Sequence, residues 1–131
     1  MSTALAAALL EKLAVQPQAA RRLRRIREDC LKLADGDAKA FARVVQAARQ
    51  EHPRAVHRAL RSATDIPRQV FEHAHTVYAT CRIIKPRVKP QFHSDLRCAM
   101  ALAIASAESA KTLIQANLAW RRRLETSVHS K

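Results

Sequence analysis

Between Leu33 and Ala40 an apolar stripe at helical spacing runs through a carboxylate. Leu23, Ile26, Cys30, Leu33, Ala40, Phe41, Val44 and Ala48 follow the i, i+3, i+4, i+7 rhythm of one helix face, and Asp37 stands where that rhythm predicts an apolar side chain. Burying a charge costs several kcal/mol unless it is paired or its pKa shifts. Two chemistries fit such a residue. Either Asp37 is a structural acid satisfied by one of the many arginines, or it is a general acid/base that takes and returns a proton during a reaction.

The other titratable groupings carry less. His73 and His75 are i, i+2 on a predicted helix and diverge, while His52 and His57 stand five apart, which does not suit a metal shared on one helical face. No metal site is predicted. His93, Ser94 and Asp95 have the residue types of a hydrolytic triad, but contiguous residues cannot take up the geometry of nucleophile, base and orienter. Ser94 as a helix N-cap and Asp95 as a first-turn acid account for them better. A single glycine, Gly36, excludes a Gly-rich phosphate loop, and Trp120 alone makes no stacking platform for bases.

Twenty-four Lys and Arg against eleven Asp and Glu give a formal net charge of +13. Such a surface attracts polyanions: nucleic acid, anionic lipid or an acidic small molecule. Basic helix faces without interleaved aromatics are more often solvated surface. Cys30, Cys81 and Cys98 are odd in number, far apart and preceded by no secretory signal, which points to a reducing, cytoplasmic setting. The segment from Ser94 to Trp120 is rich in alanine, yet Arg97, Glu108 and Lys111 interrupt it, and a membrane span needs roughly 18 to 20 consecutive apolar residues.

These residues need a scaffold, and composition names its class. One glycine among 131 residues, aromatics at 4% and abundant Ala, Leu, Arg and Gln favour helix over sheet. The chain reads as a single all-α domain over residues 1–131, a bundle of about five helices. Periodicity predicts them at 3–15, ending near Gln16-Pro17; at 19–50, carrying Asp37; at 53–63; at 67–84, separated from its predecessor by Ile66-Pro67; and at 94–124. Small side chains in the last helix let neighbouring backbones approach closely, which predicts a central rod. "KPRVKPQFH" reads as the loop before it. A core of this size predicts a homodimer that buries apolar faces one chain cannot cover.

Four blocks, in order, resemble the cyclodeaminase/cyclohydrolase family, which comprises the C-terminal domain of formiminotransferase-cyclodeaminase and the related methenyltetrahydrofolate cyclohydrolases. They are "LKLADGDAKAFARVVQAAR" (Leu31 to Arg49), "ALRSATDIPRQV" (Ala59 to Val70), "SDL" (Ser94 to Leu96) and "NL" (Asn117, Leu118), spread over about residues 22–118. The resemblance implies an all-helical dimer acting on tetrahydrofolate derivatives that carry a one-carbon unit at N5, with no metal. It implies that the acid of the D-x-x-A-F block, here Asp37, is catalytic, and that Ser94, Asp95 and Asn117 bind substrate. Folates, polyglutamylated or not, are acidic and would suit a basic surface. The chain departs from the pattern at Arg97, where a glycine often follows S-D-L, and at Leu113, where the family has asparagine. It also begins at about the point where a Gly-rich family loop would end, and its last segment is short, so the resemblance implies a domain shortened at both ends. Two other readings stand beside a folate enzyme: a catalytically degenerate family member serving as a helical scaffold, and a basic nucleic-acid-binding protein.

Overall fold

A computed structural model describes residues 2–13 and 17–130. Four α-helices carry nearly all of them: α1 (Ser2–Leu13), α2 (Pro17–Arg49), α3 (Pro53–Ile84) and α4 (His93–His129). No strand occurs among the described residues, so the all-α expectation holds with four helices rather than about five. The predicted stop near Gln16 lies partly outside the described residues. Pro17 itself opens α2, a first-turn position where its fixed φ and missing N–H cost nothing.

The difference in helix number arises at Pro67. Two helices were predicted around Ile66-Pro67, yet α3 runs through the proline without a break. A mid-helix proline forfeits one backbone hydrogen bond and crowds the preceding turn, at a cost of about 3 kcal/mol. Here Leu60, Ala63, Thr64, Pro67 and Ala74 are all buried, so a break would expose apolar surface on both sides of it. The Thr64 hydroxyl donates to the Leu60 carbonyl at 2.7 Å and keeps the turn before the proline closed. Packing of the whole helix outweighs the local preference of one residue. The predicted loop before α4 is two short 3-10 turns, Lys85–Arg87 and Pro90–Phe92. Phe92, not Ser94, takes the N-cap position of α4, and no side chain caps that end. His93 instead turns back to donate from its ring Nε2 to the Val88 carbonyl at 3.0 Å.

α3 lies against all three other helices, and so does α1, whereas α2 and α4 barely meet. The small-residue helix is therefore a flanking member and not the central rod. It buries one stripe, Leu96, Ala99, Ala103, Ser106 and Ala110, and leaves Ala101, Ile104 and Ala105 on its outer side exposed. The short side chains of that stripe let α1 and α3 approach.

Lengths decide the rest of the architecture. At about 1.5 Å per residue, α2, α3 and α4 are each roughly 50 Å long, and α1 is about a third of that. One core cluster joins Leu10 of α1, Leu23 and Ile26 of α2, Val77 and Cys81 of α3, and Leu96 and Ala99 of α4. The second has no part of α1. It joins Val44 of α2 and Leu60 of α3, with Trp120 and Leu124 of α4 packed against them. The bundle thus has four helices at one end and three at the other, and α1 separates α2 from α4 over only part of their length.

Candidate functional site

Beside the first turn of α1, the space between α2 and α4 opens into a trough floored by α3. Its wider part is a cavity of about 310 Å³. Cys30, Leu33, Ala34 and Asp37 line it from α2, Ile66, Pro67 and Val70 from α3, and Ser106, Ser109, Ala110 and Leu113 from α4. Thr3, in the first turn of α1, is at its end. A second cavity of about 170 Å³ continues towards the three-helix end, lined by Phe41, Val44, Leu60, Ala63, Asn117 and Trp120. The two cavities share Asp37, Pro67 and Leu113 as walls. Small-molecule sites begin at about 300 Å³ and are mostly apolar with a few convergent polar groups, and this trough has that character.

Local sequence explains why these side chains meet. Residues three and four apart share a helix face, and on α2 the series Cys30, Leu33, Asp37, Phe41 and Val44 steps along one face. On α4, Ser106, Ser109, Leu113, Asn117 and Trp120 do the same. Gly36 lies beside the carboxylate, and a methyl group in place of its hydrogen would stand 3.6 Å from the Ile66 side chain, an ordinary contact.

Asp37 is exposed to this trough and not sunk in the core. The stripe that predicts an apolar residue there faces the partially filled part of the bundle, so the burial cost never arises. The structural-acid reading requires a cation, and among the described residues Asp37 has no ion pair or hydrogen bond. Among the described residues lining either cavity there is no Lys, Arg or His. The ion pairs lie elsewhere: Arg24 and Arg27 to Glu11, at 3.0 and 3.5 Å, tie α2 to α1, and His57 to Glu125, at 3.0 Å, ties α3 to α4. Ser106 donates to the Leu102 carbonyl at 2.9 Å. The other titratable group on the trough is Cys30, whose thiol pKa is pushed up by burial. The Thr3 hydroxyl is buried without a hydrogen-bond partner among the described residues.

Of the residues singled out from sequence, Asp37 and Asn117 come together on one cavity. Ser94 and Asp95 do not join them within the chain. They are exposed in the first turn of α4, about 35 Å along the helix from Asn117. Sequence reasoning missed Thr3, Pro67, Ser109, Leu113 and Trp120 as lining residues. Stepping back from Asn117 by threes and fours finds Leu113 and Ser109; nothing local identifies Thr3, which a different helix brings in. His73 pairs with Asp29 at 3.7 Å and His75 stacks against Phe71. No group of three or more metal-ligating side chains occurs among the described residues.

No match was found among curated proteins or solved structures. The family described as formiminotransferase-cyclodeaminase matches residues 3–122, extending the likeness of the four blocks back into α1 and across both walls of the trough. With that span covering all but the ends of the sequence, the chain belongs to the formiminotransferase-cyclodeaminase family.

Proposed function

We propose that the trough binds a folate with a one-carbon unit at N5, and that the protein is a formiminotetrahydrofolate cyclodeaminase or methenyltetrahydrofolate cyclohydrolase with Asp37 as general acid/base. The observation that carries this reading is an exposed carboxylate, unpaired among the described residues, at the junction of two cavities and in the block that bears the family resemblance. A carboxylate spent on an arginine could not exchange protons with a ligand; this one is free to. In the cyclodeaminase reaction the formimino group enters protonated, as an amidinium, N10 attacks its carbon, and the N10–C bond forms. Asp37 takes the proton that N10 loses and delivers it to the formimino nitrogen. The C–N bond then breaks, and ammonia leaves a methenyl cation. In the hydrolytic case Asp37 takes a proton from the water that adds to the methenyl carbon and returns it to the ring nitrogen whose C–N bond breaks, and the remaining hydroxyl proton is lost to solvent as the formyl C=O forms. Asn117, with an amide that both donates and accepts, orients the heterocycle from the second cavity.

In this reading the acidic glutamate tail lies outside the trough, towards the basic surface, in keeping with a lining that has no Lys, Arg or His among the described residues. The nucleic-acid reading has only the net charge behind it. Among the described residues no helix is long and apolar enough to cross a membrane; the three free thiols support a cytoplasmic setting.

The working unit in this proposal is a homodimer. The midpoint between Ser94 and Asn117 on α4 falls at Ala105 and Ser106, beside the exposed Ile104. A two-fold axis there, pairing two α4 helices antiparallel, carries one protomer's Ser94 and Asp95 towards the other's Asn117 and gives them access to its substrate. The test of the whole reading is turnover. Purified protein is mixed with 5,10-methenyltetrahydrofolate and, separately, with 5-formiminotetrahydrofolate, and the methenyl absorbance is followed. Loss in the first or gain in the second, above the uncatalysed rate, is the expected result. No change in either assay would end the enzymatic reading.

A further inference from the structure

We infer that the second cavity is the aromatic-ring end of the ligand site, where Phe41 and Trp120 take the aminobenzoyl ring of a folate and so hold its one-carbon unit beside Asp37, in an inference that rests on the folate reading above. The chain has few aromatic side chains, three Phe, one Trp and one Tyr, and two of them line this one cavity. They come from opposite walls. Phe41 is on α2, one turn after Asp37, and Trp120 is on α4, one turn after Asn117. Trp120 packs against the second core cluster, whereas Phe41 is 64% exposed. The ring contact among the described residues is Phe71 with His75, so neither wall aromatic is spent on another ring. A single exposed apolar side chain is ordinary on a surface. One that walls a cavity together with a second aromatic offers a flat ring the stacked and edge-to-face contacts that such rings prefer.

Size assigns the occupant. An apolar cavity of about 150 Å³ takes up one benzene ring. The second cavity, at about 170 Å³, therefore suits a single six-membered ring, and the wide one, at about 310 Å³, suits a fused heterocycle. Polarity agrees, because the wide cavity adds Ser109 to the shared Asp37, while Val44, Leu60 and Ala63 make much of the narrow one apolar. In a folate the heterocycle carries N5, the aminobenzoyl ring carries N10, and the one-carbon unit lies between them. A molecule with one ring in each cavity puts that unit at the junction, whose walls are Asp37, Pro67 and Leu113. Asn117 then meets the heterocycle from the narrow side. The two aromatic residues thus set which way round the substrate lies.

Methyl-labelled wild-type protein is bound to 5-formyltetrahydrofolate, a stable folate with its one-carbon unit at N5, and the nuclear Overhauser contacts of the aminobenzoyl protons are read. Val44 and Leu60 line the narrow cavity and not the wide one; Ile66 and Val70 line the wide cavity and not the narrow one. Contacts to Val44 or Leu60 are expected. Contacts to Ile66 or Val70 instead, or to none of the four, overturn the assignment and leave the folate reading in place. Calorimetry with the same probe tests the ring itself. Phe41→Leu, which keeps apolar bulk, should bind about tenfold more weakly, and Phe41→Tyr, which keeps the ring, within about threefold of wild type. Neither should melt appreciably lower, since the side chain is mostly exposed. Wild-type affinity in Phe41→Leu overturns the inference, and so does a change of oligomeric state in that variant, which would give the exposed ring to a second copy of the chain. Wild-type protein that folds but does not bind the probe removes the folate reading and the inference with it.

Discussion

A carboxylate that is exposed and without a partner is chemically available, and among the described residues Asp37 is both. That combination separates two roles in one variant. Asp37→Asn changes an exposed, unpaired side chain to its near-isostere, and surface changes of this kind stay within about 0.5 kcal/mol. Its denaturation midpoint should match wild type. Turnover of the methenyl or formimino substrate should fall about 100-fold or more, the scale of lost acid/base catalysis. A stability loss of several kcal/mol with unchanged turnover would instead mean that Asp37 holds a cation in solution. Cys81 shows the opposite environment. Burial pushes the Cys81 thiol up to about 11, well above its ordinary 9.0, so it stays protonated through the neutral range. Raising the pH ionises the unfolded thiol first, so the stability this group contributes is intact below about 9 and is lost as pH rises towards 11.

At the scale of the helix, α2 contains the one glycine of the chain one residue before the catalytic candidate. Gly36 has no positive φ and meets no obstacle at the position of a Cβ. Gly36→Ala should therefore stabilise the fold by about 0.5 to 1 kcal/mol through restricted backbone freedom in the unfolded chain, read as an increased urea midpoint. If it stabilises but slows turnover, the glycine serves local mobility around Asp37. On α4 the requirement is the reverse. Ala99 and Ala103 are buried where α1 and α3 approach, at 0% and 1% exposure. Ala103→Leu overfills that contact and should cost about 1 to 3 kcal/mol, also read in urea. The same substitution at Ala101, on the exposed side, is the control expected to change little.

For the whole molecule, the governing fact is that a short α1 spans part of a bundle whose other helices are nearly three times as long. The four-helix end has a closed core, and the mid-region, where α1 begins, has the trough. The outer side of α4 leaves Ile104 half exposed. If two α4 helices pair there, sedimentation at micromolar concentration should give a dimer, and Ile104→Glu, which lines neither cavity, should give a folded monomer with reduced turnover. A wild-type monomer with full activity would refute the paired site.

The all-α class, the course of α2 and the oddity of Asp37 were legible in the residues, because helical periodicity and the scarcity of glycine are local properties. So was the family, since its blocks are short runs. What could not be read locally was decided by packing. Pro67 looks like a helix end, but it is a buried wall residue of an unbroken helix, because the apolar neighbours on both sides outweigh one lost hydrogen bond. Asp37 looks buried because its spacing matches the core stripe, yet whether a stripe position is covered depends on which residues of the other helices stand opposite it, here Ile66, Pro67 and Leu113 around an open cavity. Thr3 joined the site for the same reason. A side chain's type and spacing set what it can do; what stands opposite it determines whether it meets solvent, core or ligand.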